Sequence, residues 1–211
     1  MTTFPVWRVF AFRAVQAGLS LALLGATATA AFAQDKPKPG WAIDPKTGCK
    51  VWDDLLEAGE AIHWSGECPK GVAEGRGTAQ WVLKGKNEEN YDGDMRDGKM
   101  NGHGTLVFPN GLHYEGAFKD NDFDGRGKLT FSNGDVYEGE FAADDRSGQG
   151  TFTMTDGRRY VGEWKADMPD GQGVLTRRDG TPVSGKWKMG CLSEGATKAA
   201  VVATPKECKI Y

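Results

Sequence analysis

Residues 91–113 read YDGDMRDGKMNGHGTLVFPNGLH, and three more 23-residue units follow without a gap, beginning at Tyr114, Tyr137 and Tyr160. Each unit opens with Tyr, has Gly at its third position and Gly-x-Gly at its middle, and carries Asn-Gly or Asp-Gly near its end. A fifth, partial unit begins at Val183. A fixed period without insertions is typical of a repeat array in which every unit is one supersecondary element.

The turn in each unit can be predicted from the alternation of side chains. A two-residue turn at Asn110-Gly111 would place Leu106 on the sheet face opposite Tyr114. A three-residue loop, Pro109–Gly111, with Gly111 in the left-handed region instead pairs Leu106 with Tyr114 and brings the apolar residues to one face. We therefore predict hairpins with three-residue loops.

This register also predicts facing glycines. It sets Gly104 opposite Gly116, and it repeats in the later units. Glycine weakens a strand, so facing glycines indicate a need for space. We expect the aromatic rings of neighbouring hairpins to lie on these glycines and to form a continuous core; the rings are Phe118, Phe141, Trp164 and Trp187. The opposite face is rich in threonine and mostly polar, which is typical of a solvated face.

Residues 1–33 have a different composition. Arg8 and Arg13 precede the uncharged, small-residue run Ala17–Ala33. This layout predicts a secretory signal peptide cut after Ala33. A retained membrane anchor is the alternative, but it would need a longer and more apolar span.

The charge of the chain argues against a nucleic-acid partner. Removing the two arginines of the signal peptide changes the formal net charge from −3 to −5. The remaining chain is mildly acidic, whereas nucleic-acid binding depends on positive charge.

The four cysteines, Cys49, Cys68, Cys191 and Cys208, form two local pairs that flank the repeats. Bridges Cys49–Cys68 and Cys191–Cys208 would suit an oxidising compartment and contribute about 3 kcal/mol each. Four cysteines allow three connectivities, and the other two stay open at this point. A zinc site is the alternative, but Cys-x-x-Cys spacing is missing.

The flanks of the array are predicted as follows. Residues 34–48 are polar and contain prolines, which predicts a flexible leader. Residues 49–190 form the repeat domain, which opens with a hairpin of Cys49–Trp52 and Ala61–Cys68. Trp64 takes the place of the recurring Tyr in a degenerate first repeat, and four extra residues within Lys84–Asn90 lengthen a hairpin tip. Residues 191–211 form a C-terminal cap over an open sheet edge.

The pattern Tyr-x-Gly-(Glu/Asp)-(Phe/Trp), Gly-x-Gly and Asn/Asp-Gly at this spacing resembles the MORN repeat, over about residues 61–190. The leading segment also resembles that of exported bacterial MORN proteins. The resemblance implies an all-β fold, an elongated, twisted, single-layer antiparallel sheet of consecutive hairpins, and a role in binding or dimerisation. One departure is clear: the family's His before the central Gly is replaced in every copy, by Glu74, Asn101, Asp124, Ser147 and Asp170.

Two sets of side chains are candidates for binding. The first is an aromatic surface, provided that stacking leaves the rings partly uncovered; otherwise these rings are core. It comprises Tyr114, Phe118, Tyr137, Phe141, Tyr160 and Trp164. The second is a basic patch at the last hairpin tips that could meet anionic lipid or glycan, although neighbouring acids dilute it. It comprises Arg158, Arg159, Arg177 and Arg178.

Other chemistry has weaker support. Asp120-x-Asp122-x-Asp124-Gly125 matches the opening of a calcium loop, but Phe131 stands where the bidentate Glu belongs. His63, His103 and His113 show no pattern of a catalytic or metal site. We therefore expect an exported, disulfide-linked, non-enzymatic interaction scaffold without a cofactor, which binds a protein partner or a second copy. The alternative is a peripheral module for membranes or anionic glycolipids.

Overall fold

A computed structural model describes residues 37–194, 197–202 and 208 of the chain. The predicted signal peptide, the first residues of the leader and part of the C-terminal segment lie outside the described residues. Within the described part of the chain, no helical segment has the length and hydrophobicity needed to span a bilayer.

The described residues form fifteen β-strands and one 3-10 turn, Pro69–Gly71. The strands are β1 (Lys38–Ile43), β2 (Lys50–Leu56), β3 (Glu60–Trp64), β4 (Gly75–Leu83), β5 (Lys86–Arg96), β6 (Lys99–Val107), β7 (His113–Lys119), β8 (Asp122–Thr130), β9 (Val136–Ala142), β10 (Asp145–Thr153), β11 (Arg159–Lys165), β12 (Met168–Thr176), β13 (Pro182–Lys188), β14 (Cys191–Glu194) and β15 (Thr197–Ala200). Strands β3 to β15 pair in chain order in one antiparallel sheet, and β1 and β2 form a second, two-stranded sheet. The predicted all-β sheet of consecutive hairpins is confirmed.

The loops at one edge of the large sheet have the predicted form. The Phe108 N–H donates to the Leu112 carbonyl at 2.9 Å, and the Gly111 N–H donates to the Phe108 carbonyl at 3.0 Å. Gly111 has φ +85°, in the left-handed region that glycine tolerates. Leu106 pairs with Tyr114, so the three-residue loop and its register are confirmed.

The turns at the opposite edge were not predicted. They contain two residues, both with positive φ, which is the geometry of a type I′ turn. In the array they are Asp97-Gly98, Asp120-Asn121, Ala143-Asp144, Ala166-Asp167 and Met189-Gly190.

Three of these turns are held to the preceding hairpin by one repeated contact, here called the turn contact. In each, a side-chain oxygen of the second turn residue accepts a hydrogen bond from a backbone N–H that lies 21 residues earlier. The pairs are Asn121 and Met100 (2.9 Å), Asp144 and Phe123 (2.8 Å), and Asp167 and Arg146 (3.0 Å). Successive hairpins are therefore joined at this edge by side chains as well as by the sheet.

The facing glycines form one continuous row across ten strands, β4 to β13. The row is Gly77, Gly93, Gly104, Gly116, Gly127, Gly139, Gly150, Gly162, Gly173 and Gly185. Aromatic rings do fill the space that these glycines leave, but the predicted rings were wrong: the tyrosines that open the repeats lie there, and not the Phe or Trp rings of neighbouring hairpins. A Cβ on Gly116 would lie 2.6 Å from the Tyr114 hydroxyl, because each opening tyrosine lies along its own strand onto the row.

Rings from alternate strands build the core. Tyr114 stacks on Phe123 with ring centroids 3.7 Å apart, and it meets Phe118 and Phe141 edge to face. The contact between tyrosine and the ring two strands further on recurs at 5.0 to 5.3 Å; the pairs are Tyr91–Phe118, Tyr114–Phe141, Tyr137–Trp164 and Tyr160–Trp187. Side chains on strands that are not hydrogen-bonded to each other thus share one core, which requires the sheet to curl around it.

The N-terminal part of the fold differs from the sequence analysis. Residues Lys38–Ile43, within the predicted flexible leader, form β1, and β2 pairs with β1 instead of with Ala61–Trp64. The alternation of Trp41, Ala42 and Ile43 suits a strand, but the surrounding lysines and prolines obscured it. The Cys49–Cys68 disulfide links this small sheet to the array.

The other flanking features extend the sheet. The extra residues near 84–90 lengthen the β4–β5 hairpin, which closes in a two-residue turn. Cys191–Glu194 and Thr197–Ala200 lie in the segment predicted to cap the open sheet edge, and they pair onto β13 as β14 and β15. The Cys191–Cys208 disulfide is present as one of the two local pairings considered.

Candidate interaction surface

The predicted aromatic surface lies inside the protein. Its six members are between 0% and 4% exposed: Tyr114, Phe118, Tyr137, Phe141, Tyr160 and Trp164. They are core residues, which was the alternative considered for them. All six are packed within the hydrophobic core, so they offer no surface to a partner.

The tyrosine hydroxyls are satisfied within the core. The Tyr137 hydroxyl donates to the Glu140 carbonyl at 2.9 Å, and Tyr114 donates to the Ala117 carbonyl at 2.8 Å. Burial raises the pKa of both phenols well above the usual range. These groups stay neutral donors, and their role is to hold the strand backbone.

The recurring acid after the third-position Gly is also structural. Glu163 Oε1 accepts the Gln172 N–H at 2.8 Å, and Glu140 Oε1 accepts the Gln149 N–H at 3.2 Å. These N–H groups lie at the irregularity that the Gly-x-Gly introduces into each strand pairing. The carboxylates therefore stabilise the β-bulge at this irregularity, and we do not count them as ligand-binding residues.

The outer face of the sheet remains accessible. Next to the glycine row, with side chains on the opposite face, runs the middle outer row: Thr78, Asp92, Thr105, Glu115, Lys128, Glu138, Thr151, Val161, Val174 and Ser184. The predicted polar, threonine-rich outer face is seen here. It is one continuous surface formed by ten strands that pair in sequence.

The two halves of the middle outer row differ in chemistry. The half nearer the N-terminus carries four charged residues, two of which form the Lys128–Glu138 ion pair at 3.2 Å. The other half is uncharged, and we call it the valine patch: Thr151, Val161, Val174 and Ser184. Val161 and Val174 face each other on neighbouring strands and are 38% and 36% exposed. Two adjacent valines on the solvent side of a sheet are an unusual choice for a solvated face.

The predicted basic patch is partly neutralised. Asp156 lies 2.9 Å from the Arg158 guanidinium and 2.8 Å from that of Arg178. Although burial raises its pKa, hydrogen bonds from these two arginines hold the pKa of Asp156 at about 2. Arg159 and Arg177 are exposed on the same hairpins. The structure thus brings the four arginines to one region, but Arg158 and Arg178 form ion pairs with Asp156, and Arg159 donates to the Thr151 hydroxyl at 3.4 Å.

The buried arginine Arg146 was not predicted from the sequence. Arg146 is 2% exposed, and its guanidinium lies 4.6 Å from the ring centroid of Trp164 and 5.6 Å from those of Tyr137 and Phe152. Its Nε donates to Asp167 Oδ1 at 3.0 Å. Strand parity could have found it, because Arg146 pairs with the inward-facing Phe141.

The remaining candidates do not converge. His63, His103 and His113 lie on three different strands, β3, β6 and β7. Asp120 lies in a two-residue turn, and its carboxylate is 3.5 Å from Arg96. Among the described residues, no group of three His, Cys, Asp or Glu side chains is arranged to hold a metal ion.

Comparison with known proteins agrees with this architecture. The MORN repeat matches residues 91–113, 114–136, 137–158 and 160–181. A search of curated proteins finds no match for the chain. Proteins with MORN repeats are generally non-enzymatic scaffolds. The chain therefore carries four consecutive MORN repeats, a class of repeat that generally serves as a protein or membrane interaction module.

Proposed function

We propose that the protein is a non-enzymatic interaction scaffold of the cell envelope, which binds a protein partner or a second copy through the valine patch. The observation that carries this proposal is the pairing of exposed Val161 and Val174 in the uncharged half of the middle outer row. Apolar side chains at the centre of a patch with a polar rim are typical of protein interfaces.

The fold supports this position for the interface. The inner face is filled by the aromatic core, so partners must use the outer face, the turn edges or the end strands. The patch lies on β10 to β13, where the hydrogen-bonded sheet holds the side chains at fixed spacing. A rigid surface loses little conformational entropy when it binds.

Export is part of the proposal. The signal-peptide layout of residues 1–33 predicts secretion. The two disulfides, Cys49–Cys68 and Cys191–Cys208, are compatible with a periplasmic or extracellular location. Such bridges persist in oxidising compartments and are rare in the cytosol.

The test compares the protein with V161E/V174E. Glutamate already occupies two positions of the same row, Glu115 and Glu138, where each faces Lys128. The two introduced glutamates face each other on neighbouring strands and repel, so the circular dichroism spectrum and unfolding midpoint of the variant are measured first to establish that it is folded. Sedimentation equilibrium measures self-association, and crosslinking in the source envelope fraction followed by mass spectrometry identifies partners. We expect the variant to lose the self-association or the crosslinked partner. The matched control is M189E, because Met189 is 64% exposed on a turn away from the patch.

Equal association of V161E/V174E and the original protein would refute the valine patch as the interface. The membrane alternative has its own test with anionic vesicles. Releasing Arg158 and Arg178 by D156N should then strengthen vesicle sedimentation in low salt. If neither protein sediments with vesicles, the membrane alternative is excluded.

A further inference from the structure

Charged and apolar side chains alternate along the outer face of β11, at the centre of the valine patch. Arg159 is exposed two residues before Val161, and Glu163 is partly exposed two residues after it. Successive outward residues of a strand are about 7 Å apart, so the two charges lie at equal distances on either side of Val161. The order of side chains along this strand is therefore positive, apolar, negative.

The strands on both sides of β11 carry uncharged polar side chains at the same heights. Threonine lies beside the arginine and glutamine beside the glutamate; they are Thr153 and Gln149 on β10, and Thr176 and Gln172 on β12. Each of the three strands thus presents two different polar groups, one on each side of the middle outer row.

A two-fold axis along the middle outer row would bring opposite charges of two copies together. Such an axis sets each strand face to face with the same strand of the second copy, in antiparallel orientation. Val161 then meets Val161 of the second copy, and Arg159 of each copy meets Glu163 of the other. Threonine meets glutamine on the neighbouring strands, and these side chains can form hydrogen bonds. A two-fold contact makes each such pair twice.

A two-fold axis parallel to the strands gives a poorer fit. It would set Val161 against Val174 of the second copy, which is also an apolar contact. However, it would cover Arg159 and Glu163 with uncharged side chains. Charges that lose water without gaining a counter-charge weaken an interface, so the charge pattern favours the axis along the row.

The curvature of the sheet limits the contact to a few strands. The outer face is the convex side, because the sheet curls around the aromatic core. Strands β10 to β13, with three rows of outward side chains, offer at most about 400 Å² per copy. This is about half of what each partner buries in a standard interface, so a weak and reversible dimer is expected. Lys128 and Glu138, further along the row, stay outside the contact, where the same axis would oppose like charges.

We propose that the partner of the valine patch is a second copy of this chain, with β11 of the two copies antiparallel and Arg159 of each on Glu163 of the other. This pairing rests on the proposed function, because it uses the same patch. The valines supply the apolar centre, and the charges at the rim select the orientation. Glu163 Oε1 keeps the Gln172 N–H, which leaves Oε2 for the guanidinium.

Charge reversal in the purified protein tests this pairing. R159E makes both charged positions of β11 negative, and E163R makes both positive. In sedimentation equilibrium, we expect each variant alone to self-associate about tenfold more weakly or worse, because two attractions become two repulsions. In an equimolar mixture of the two variants every pair is again opposite in charge, so association should return. Added salt should weaken association of the original protein and of the mixture.

The matched control is R76E, which reverses the same charge on the outer face of β4, at the far end of the row from the patch. It should self-associate like the original protein. Unfolding midpoints are measured first, because Glu163 also stabilises the β-bulge. If E163R does not fold, R159E and the salt dependence of the original protein decide, and association that neither one changes overturns the pairing.

The outcomes separate this pairing from the proposed function. A mixture that associates no better than either variant alone overturns the pairing. A monomeric original protein that loses a crosslinked partner on V161E/V174E substitution also overturns it, but keeps the valine patch as an interface for another protein. V161E/V174E that associates and crosslinks like the original protein overturns both.

Discussion

Arg146 Nε donates to Asp167 Oδ1 across 3.0 Å, and both side chains are buried, with 2% and 4% of their surface exposed. The guanidinium also donates to the Asp167 carbonyl at 2.8 Å. An ion pair in an aromatic core must compensate for the desolvation of two charges. Here the compensation comes from these hydrogen bonds and from the faces of the surrounding rings.

Removing one partner of this pair should be costly. We expect D167N to lower the free energy of unfolding by about 3 kcal/mol, because a buried guanidinium loses its counter-charge. R146M/D167N copies the Met100 and Asn121 pair found at the first turn contact, and it should be more stable than either single variant. Urea unfolding monitored by tryptophan fluorescence measures all three. A double variant less stable than both singles would contradict this account.

The glycine row makes a second prediction. A Cβ at Gly150 would overlap the Tyr137 ring and approach its hydroxyl, so G150A should cost about 3 kcal/mol by overpacking. In a Tyr137→Ala background the same change should cost at least about 1 kcal/mol less, since the ring is gone. A double-mutant cycle from urea unfolding gives this difference. Equal costs in the two backgrounds would show that the ring does not require the glycine.

The bulge carboxylates lead to a third prediction. E163A removes the acceptor of the Gln172 N–H and should cost about 1 kcal/mol, whereas E163Q keeps an oxygen acceptor and should cost less. The second repeat has Ala117 at the equivalent position. We expect A117E to stabilise the protein, because its carboxylate can accept the Arg126 N–H. Denaturant unfolding provides the values, and a destabilising A117E would argue against the bracing role.

The hairpin register could be predicted from the sequence, by the alternation of side chains within each repeat. Parity alone selected the three-residue loop, because only that loop brings Leu106 and Tyr114 to one face. The ring on the glycine row could not be predicted in this way. Parity places both Tyr114 and Phe118 on the inner face, and only the direction of the tyrosine along its own strand decides between them.

The sequence of the two-residue turns does not show the residues that usually mark such turns. Ala143-Asp144 and Ala166-Asp167 have no glycine, although both residues of each turn have positive φ. Alanine is a poor choice for that conformation, so contacts with the preceding hairpin impose it. Such contacts join residues 21 positions apart, and a reading of local propensity does not include them.

The valine patch was visible in the sequence only as part of an outer face. The predicted outer face is rich in threonine and mostly polar, and this prediction does not single out any apolar part of it. The pairing of Val161 with Val174 concentrates the apolar surface at one place, and it depends on how β11 and β12 align. Sequence alone could not exclude the aromatic residues as a binding surface, because the burial of a ring depends on how far the sheet curls.

The last prediction concerns the two disulfides, which lie at opposite ends of the array. C49S/C68S opens a bridge between cysteines 19 positions apart and should lower the free energy of unfolding by about 3 kcal/mol. Its effect should be centred on β1 and β2, because Cys49 directly precedes β2 and its bridge ties that sheet to the array. Hydrogen exchange read by mass spectrometry should therefore increase in residues 38–56 and stay unchanged in β10 to β13. The matched control is C191S/C208S, whose cysteines are 17 positions apart and whose effect should be centred on β14. If both variants loosen β1 and β2 equally, the N-terminal bridge does not act locally, and the two-stranded sheet depends on the stability of the array as a whole.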